Sequence, residues 1–161
     1  MPAAPEAASA SPPERVHGGA RASLPARRRL LKPDEFSAVM SDPKAIRAGS
    51  RWLSLVAGRS QSRTGDVPVR FGFTASKRQA PRAVDRNTVR RILRESARHH
   101  LGMLDAAAGA LSVDVVLRLK APAREAAGLT RHTWKAALRA EADALLLKLA
   151  GRLGASAATQ P

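Results

Sequence analysis

Residues 77–98 hold the side chains with the clearest chemical potential in this sequence. The stretch contains eight Lys and Arg residues but only two acidic residues, Asp85 and Glu95. Guanidinium groups bind phosphate through paired donors and stack on aromatic rings, whereas a helix charged only for solubility usually mixes both signs. The composition therefore predicts contact with a polyanion. The candidate contact residues are Lys77, Arg78, Arg82, Arg86, Asn87, Arg90, Arg91, Arg94 and Arg98.

A helical wheel at about 100° per residue separates this stretch into two faces. Counted from Val84, the apolar residues Val89, Ile92, Leu93 and Ala97 fall between about 80° and 220°. The asparagine and four of the arginines fall between about 240° and 340°. One face is therefore expected to pack on the protein, while the other presents cations. Two alternatives remain at this point: a solvated helix face of a basic proteome, and a DNA recognition helix, although a strand rather than the first helix of a helix–turn–helix pair directly precedes this one.

Groups that could carry out catalysis are scarce in the chain. There is no cysteine, which excludes disulfides, thiolate nucleophiles and cysteine-based zinc sites. We find no paired-carboxylate motif and no His-x-x-x-His spacing, and we interpret His99 and His100 as exposed imidazoles or as groups that offset a helix dipole. The sequence is consistent with a binding protein that does not itself catalyse a reaction.

The net charge of this 161-residue chain points in the same direction. Lys and Arg number 28 against 13 Asp and Glu, a formal net charge of +15. Residues 27–100 carry 18 basic and six acidic residues, so the excess is concentrated in the middle of the chain. An anionic partner would relieve the resulting repulsion; nucleic acid is the first expectation and an anionic membrane surface the second. No apolar run reaches the roughly 20 residues of a membrane span, and no signal peptide is evident, so we expect a cytoplasmic protein.

The elements that must position the basic stretch follow from periodicity. Helices are predicted from Pro33, near 82–101 and over 130–150. Strands are predicted within 51–58, over 69–75, where apolar and polar residues alternate, and over 113–120. We interpret the first two strands as a hairpin with a long loop, and a short extra strand is possible near 28–32. The order α-β-β-α-β-α predicts a small two-layer α+β sandwich, with a mixed sheet of about four strands covered by helices.

The domain organisation follows from composition. Residues 1–26 are rich in Ala, Pro, Ser and Gly and are predicted to be a disordered tail. Residues 151–161 are interpreted in the same way. The folded domain is then expected to span residues 27–150.

Two segments of the sequence resemble a known family. Residues 71–78 read Phe-Gly-Phe-Thr-Ala-Ser-Lys-Arg, and residues 83–95 read Ala-Val-Asp-Arg-Asn-Thr-Val-Arg-Arg-Ile-Leu-Arg-Glu. This combination resembles the signature of the bacterial ribonuclease P protein, a strand ending in Ser-Lys-Lys or similar before an Ala-Val-x-Arg-Asn-x-x-Lys/Arg-Arg helix. The resemblance spans about residues 27–150. Many members have arginine after the asparagine, where this chain has Thr88, and the aromatics common near Met40 and Leu55 are absent.

The resemblance implies a subunit of ribonuclease P, the endoribonuclease that removes the 5′ leader from precursor tRNA. In this family the RNA subunit performs the chemistry with Mg²⁺ held mainly by RNA and substrate, so no catalytic residue or metal ligand is expected in the protein. The arginine-bearing helix face would bind the catalytic RNA. A cleft between the sheet and the first helix, lined by Phe36, Met40, Trp52 and outward strand residues, would bind single-stranded leader.

The partners implied are therefore the catalytic RNA and precursor tRNA, with no protein partner. Phe36 and Trp52 also have a core alternative, and Phe71, Phe73 and Trp134 are predicted to be core. The competing functions are a non-enzymatic RNA-binding module, for example one associated with ribosomes, and a basic protein that binds nucleic acid nonspecifically.

Overall fold

A computed structural model gives the structure of the protein for residues 23–61 and 67–159. Short 3₁₀ turns lie at Ala26–Arg28 and Ala123–Ala126. The helices and strands, in chain order, are α1 (Pro33–Ser41), β1 (Ile46–Gly49), β2 (Leu53–Arg59), β3 (Val69–Thr74), α2 (Ala83–Ala108), β4 (Val113–Leu119) and α3 (Arg131–Ala158). The α+β class and the predicted order are confirmed, with β1 as an added strand. This strand has only four residues of mixed exposure, which leaves little periodicity to detect.

The strands form one four-stranded mixed sheet in the order β1-β2-β4-β3. β2 pairs antiparallel with β1 and β4, and β3 pairs parallel with β4. The predicted hairpin between β2 and β3 is wrong, because β4 lies between them. A parallel pair needs a long crossover, here α2, and local periodicity does not report which strand the chain returns to.

One face of the sheet carries the main core. Leu55 of β2, Phe71 of β3 and both Val115 and Leu117 of β4 point toward α2 and α3 and are buried there. The apolar wheel positions predicted for α2 are all buried, as are Phe71 and Trp134, while Phe73 packs partly buried against this core. These predictions are confirmed. Because the apolar face of α2 is buried in this core, only the rest of the helix circumference is accessible to solvent.

The opposite face of the sheet carries α1 and a smaller apolar cluster. Val39 of α1 packs with Val56 of β2, Val116 of β4 and Leu30, which precedes the helix. Residues Arg29 and Leu30 join the edge of β3 at Phe71 through a single bridge, which lies where an extra strand was considered possible.

The folded part extends beyond both predicted domain boundaries. Leu24 is fully buried in the main core, so the domain begins before residue 27. α3 continues to Ala158, and Leu153 is buried, so the predicted disordered tail from 151 is wrong as far as that helix runs. The composition of this segment predicts a tail, but packing of the apolar stripe outweighs the weak helix propensity of Gly151 and Gly154. The predicted N-terminal tail up to residue 22, and residues 160–161, lie outside the described residues.

Candidate nucleic-acid interface

The nine residues predicted to contact a polyanion, called the arginine face below, lie on α2 and on the turn that leads into it. Lys77 and Arg78 occupy the turn after β3 and are exposed. Of the α2 side chains, Asn87 and Arg91 are exposed, whereas Arg86, Arg90, Arg94 and Arg98 are half-buried. None of the nine is buried.

Most of these cations are not neutralised by the protein. Within residues 23–61 and 67–159, Arg86, Arg90, Arg91, Arg94 and Arg98 form no ion pair. The buried Nε of Arg94 also has no hydrogen-bond partner among the described residues. An unpaired donor of this kind is costly unless a partner completes it. The positive charge of these side chains is therefore not offset by carboxylates of the described residues.

The guanidinium of Arg86 donates hydrogen bonds to the segment that joins α2 to the turn carrying Lys77 and Arg78. Its Nη1 donates to the carbonyl oxygens of Ala80 at 2.9 Å and Pro81 at 2.7 Å. Within the turn itself, the Ala80 amide donates to the Ser76 carbonyl at 2.9 Å. The first arginine of the motif thus holds the turn against α2.

The acidic residues of the stretch do not cancel the arginine face. Asp85 is buried and accepts from Arg82 Nε at 2.8 Å and from Arg131 Nη1 of α3 at 3.2 Å. Glu95 is exposed and forms no ion pair in the described chain, and it lies near 20° on the wheel, outside the arginine arc. One carboxylate shared by two guanidinium groups leaves a net positive charge at this end of α2.

Helix α3 adds two cations that were not among the residues predicted from the sequence. Arg131 and Lys135 line an open cavity of about 530 Å³ together with Asn87 and Arg91 of the arginine face. A signal in the sequence was the four-residue spacing of two basic residues at the start of a predicted helix. What the sequence did not show is that this turn lies beside α2.

The face of the sheet that carries α1 forms a second candidate surface. The half-buried Phe36 ring lies over Gly72, where a Cβ atom would stand 2.4 Å from Phe36 Cε1. Met40, one turn further, is half-buried and its carbonyl accepts from Arg47 Nη2 at 2.7 Å. The exposed Arg118 of β4 lies on this same face, because it alternates with the residues that fill the main core.

Trp52 does not belong to this second surface, which corrects the prediction that it lines a cleft with Phe36 and Met40. Its ring is 1% exposed and belongs to the main core on the other face of the sheet. It meets Trp134 edge to face at 6.4 Å between centroids, and the Arg51 guanidinium lies 4.8 Å from its ring centre. Leu53, Leu55 and Ala57 of β2 face this core, so strict alternation would place position 52 on the α1 face; Trp52 precedes the strand and packs against Trp134 of α3 instead.

A buried ion network ties α1 to the sheet beside Phe36. Arg70 donates from Nε and Nη2 to Asp114 at 2.9 and 2.8 Å, and from Nη1 to Glu35 at 3.0 Å. The other Glu35 oxygen accepts from the amides of Leu31 at 2.9 Å and Lys32 at 3.1 Å. These bonds anchor the first turn of α1.

The same network shifts two ionisation equilibria. Burial raises the pKa of Glu35, but the amides of Lys32 and Leu31 and the Arg70 guanidinium outweigh it, so the net pKa lies below its ordinary 4.5. The hydrogen bond to Asp114 raises the pKa of Arg70 despite burial. Both groups are therefore charged at neutral pH, as their geometry requires.

The described ranges 23–61 and 67–159 contain no cluster of three or more His, Cys, Asp or Glu side chains placed to hold a metal ion. Over the same ranges, no helix combines the length and apolar character that a bilayer crossing needs.

Comparison with known proteins identifies one family. The family model described as ribonuclease P matches residues 24–148. The ribonuclease P protein component of Bordetella parapertussis is 35% identical over 132 residues, covering 81% of this chain and 98% of the relative. That of Bordetella avium is 32% identical over 123 residues, covering 76% and 92%.

Two solved structures show the same fold at low sequence identity. The RNase P protein of Staphylococcus aureus matches with a TM-score of 0.56 at 20% identity, covering 76% of this chain and 94% of the other. The RNase P protein of Thermotoga maritima matches with a TM-score of 0.54 at 17% identity, covering 73% and 94%.

Proposed function

This chain belongs to the ribonuclease P protein family, and from that premise we propose how its surfaces serve the enzyme. The protein is an RNA-binding subunit of ribonuclease P, an endoribonuclease of tRNA processing. Its arginine face binds the catalytic RNA subunit. Its α1 face binds the single-stranded 5′ leader of precursor tRNA, so that the complex removes the leader and produces the mature 5′ end.

The observation that carries the first assignment is the unpaired charge of the arginine face. Exposed like charges at i,i+4 spacing cost only a few tenths of a kcal/mol each, so the helix tolerates them without a ligand. What supports a ligand is that Arg86, Arg90, Arg91, Arg94 and Arg98 form no ion pair within the described residues, while Asp85 is already shared by Arg82 and Arg131. RNA phosphates would supply the missing anions, with guanidinium forks as donors.

The α1 face suits a single strand with little sequence preference. The half-buried ring of Phe36 offers a stacking surface, and the exposed guanidinium of Arg118 offers charge for the backbone. The Glu35–Arg70–Asp114 network holds the helix that carries Phe36 at a defined height above the sheet. A strand lying along this face would meet stacking and backbone charge together.

The chemistry is assigned to the RNA subunit. Mg²⁺ bound by RNA and substrate phosphates would activate water and stabilise the leaving oxygen. The contribution of the protein is to hold and orient the two RNA molecules through the arginine face and the α1 face. Because its partners are tRNA precursors and a catalytic RNA, we place the protein in the cytoplasm.

Reconstitution tests the proposed function directly. The full chain is mixed with its host's ribonuclease P RNA and precursor tRNA at low Mg²⁺ concentration, and leader cleavage is followed on a gel. We expect cleavage well above the rate of the RNA alone, since the cations of the protein reduce the repulsion between the two RNAs. No gain over the RNA alone at saturating protein would refute the assignment.

Replacing Phe36 with Ala tests the leader surface. We expect Phe36→Ala to weaken binding of leader-bearing substrate by about 1–3 kcal/mol, the usual worth of one base–aromatic stack, and to leave mature tRNA unaffected. The measurement is the ratio of the two dissociation constants with the assembled holoenzyme.

The matched control for that measurement is Trp52→Phe, an aromatic change in the main core. It should lower the thermal midpoint of unfolding without altering the ratio. If Phe36→Ala weakens both ligands equally, Phe36 acts as a core residue and the leader lies elsewhere.

A further inference from the structure

We propose that a groove between the first turns of α2 and α3 is an additional phosphate site for the catalytic RNA, formed by Arg131 and Lys135 together with the arginine face. This inference rests on the proposed function, because it extends the surface by which α2 holds RNA onto a second helix. It adds two contact residues from a second helix, 33 and 37 positions after Arg98, the last residue of the arginine face.

The groove is a concave site whose cations come from both helices. Its cavity has a volume of about 530 Å³. No acidic side chain is among its lining residues, which are Val84, Asn87, Thr88, Arg91, Arg131 and Lys135. Three cations and an amide around one open depression raise the local concentration of an anion there.

The guanidinium of Arg131 is held in place at the centre of the groove. Its Nη1 donates to Asp85 Oδ1 at 3.2 Å, and its Nη2 donates to Thr88 Oγ1 at 3.1 Å. The side chain nevertheless remains 44% exposed. Because both bonds fix its position before RNA arrives, less conformational entropy is lost on binding than for a free arginine.

Asp85 does not cancel this charge. It also accepts from Arg82, so one carboxylate serves two guanidinium groups. The threonine at position 88 acts as a small polar support, and the cation above it comes from α3. The surface above Thr88 therefore carries the guanidinium of Arg131, although Thr88 itself has no charge.

Lys135 lies one turn after Arg131, about 40° away around α3, so the two side chains project to the same side. It makes no hydrogen bond or ion pair with the described residues, and it is half-buried at the groove. The ammonium of Lys135 therefore has no protein partner among the described residues.

Continuity with the arginine face identifies the anion as RNA. Asn87 and Arg91 belong both to that face and to the lining of the groove. An RNA backbone bound along the arginine face of α2 would reach Arg131 while remaining in contact with cationic side chains. A free phosphate would have no such extended path to follow.

The test is the salt dependence of binding between the full-length protein and its ribonuclease P RNA. Each variant, Arg131→Ala and Lys135→Ala, should reduce the slope of log affinity against log salt by about 0.7–0.9, the value for one phosphate contact. Lys148→Ala is the matched control: it is an exposed lysine on the same helix, about 220° around from Lys135, and it should leave the slope unchanged. Thermal unfolding of each variant, measured in parallel, reports any loss of fold.

The outcomes separate this inference from the proposed function. If Arg94→Ala, which lies outside the groove, lowers the slope while Lys135→Ala and Arg131→Ala do not, the arginine face binds RNA and the groove does not, which overturns the inference alone. If wild type neither binds the RNA nor stimulates cleavage, the proposed function itself fails. A slope lowered by Lys135→Ala with unchanged thermal midpoint establishes the site, because that lysine holds nothing else in place.

Discussion

Arg70 and Arg94 are the same residue type in opposite surroundings. Arg70 is buried, and its nitrogens bond to Asp114 and Glu35. Arg94 is half-buried and unpaired, and its Nε has no partner among the described residues. At the scale of single residues, it is therefore the nearby carboxylates, and not the count of arginines, that separate ion-paired arginines from arginines without a partner among the described residues.

Gly72 is required by the close approach of Phe36. A Cβ atom at this position would stand 2.4 Å from Phe36 Cε1 and 2.7 Å from Cζ, so Gly72→Ala must displace the ring. We expect a loss of about 1–3 kcal/mol in the free energy of unfolding, typical of overpacking, together with weaker leader binding. Urea unfolding measures the first effect.

Gly102→Ala is the control for that prediction. Nothing lies within 4 Å of a Cβ atom built on Gly102, which is an exposed residue of α2. Alanine is the better helix former by about 1 kcal/mol, so this variant should be more stable than wild type. Equal effects of the two alanines would mean that Phe36 does not rest on Gly72.

The ion network under α1 predicts a pH dependence. The pKa of Glu35 is depressed in the folded protein, so its contribution to stability is complete above 4.5, the ordinary value, and is lost as pH falls through the folded-state pKa. Glu35→Gln should therefore be less stable than wild type at pH 7, and the difference should shrink as the pH is lowered below 4.5. Urea unfolding of both proteins between pH 7 and pH 3 checks this, and a difference that stays constant over the range contradicts it.

At the scale of elements, α2 combines two roles on different faces of one helix. Its buried arc seals the main core through residues such as Val89 and Leu93, and its outer arc holds the arginine face. The helix extends to Ala108, past its predicted end near 101, and stops at Gly109, which has a φ of +57°. Packing of its buried arc against the core supports the outer arc, which we propose binds RNA.

Removing three cations from this outer arc should weaken RNA binding without unfolding the helix. For the variant in which Arg90, Arg91 and Arg94 are all alanine, we expect lower affinity for the ribonuclease P RNA and a salt slope reduced by about 0.7–0.9 for each lost phosphate contact. Alanine favours helix, so circular dichroism should show α2 intact. Exposed Arg59→Ala serves as the control, and an unchanged slope in the triple variant would show that this arc does not hold RNA.

At the scale of the whole molecule, the sheet separates two layers with different roles. α2 and α3 fill one side with the larger core, and α1 lies over the smaller cluster on the other side. Trp52 and Phe36 are therefore on opposite sides of the sheet. Closure of the larger layer depends on the C-terminal turns of α3, which composition alone assigned to a tail.

Leu153 tests that dependence. Its side chain is 3% exposed in the main core, so Leu153→Ala should lower the free energy of unfolding by about 2 kcal/mol or more, the lower end for buried leucines. Leu147, in the same helix, is 53% exposed, and its alanine variant should fall within about 0.5 kcal/mol of wild type. Equal stabilities in urea would mean that the domain ends before residue 151.

The family, the α+β class and the two-faced character of α2 were all predictable from the sequence. These features depend on composition and on the periods of single elements, which are local properties, and on a motif contained within 71–95. The unpaired state of the arginines was also indicated, since few acidic residues lie nearby in sequence.

Strand order, the side of the sheet that receives Trp52, and the support of Arg131 by Thr88 were decided only by the tertiary structure. Each depends on contacts between residues far apart in the chain, such as the 43 positions that separate Arg131 from Thr88. Local periodicity states that a side chain is buried or exposed, but it does not state against which element. The groove between α2 and α3 exists only because two separate helices pack together, and no pattern within either helix describes it.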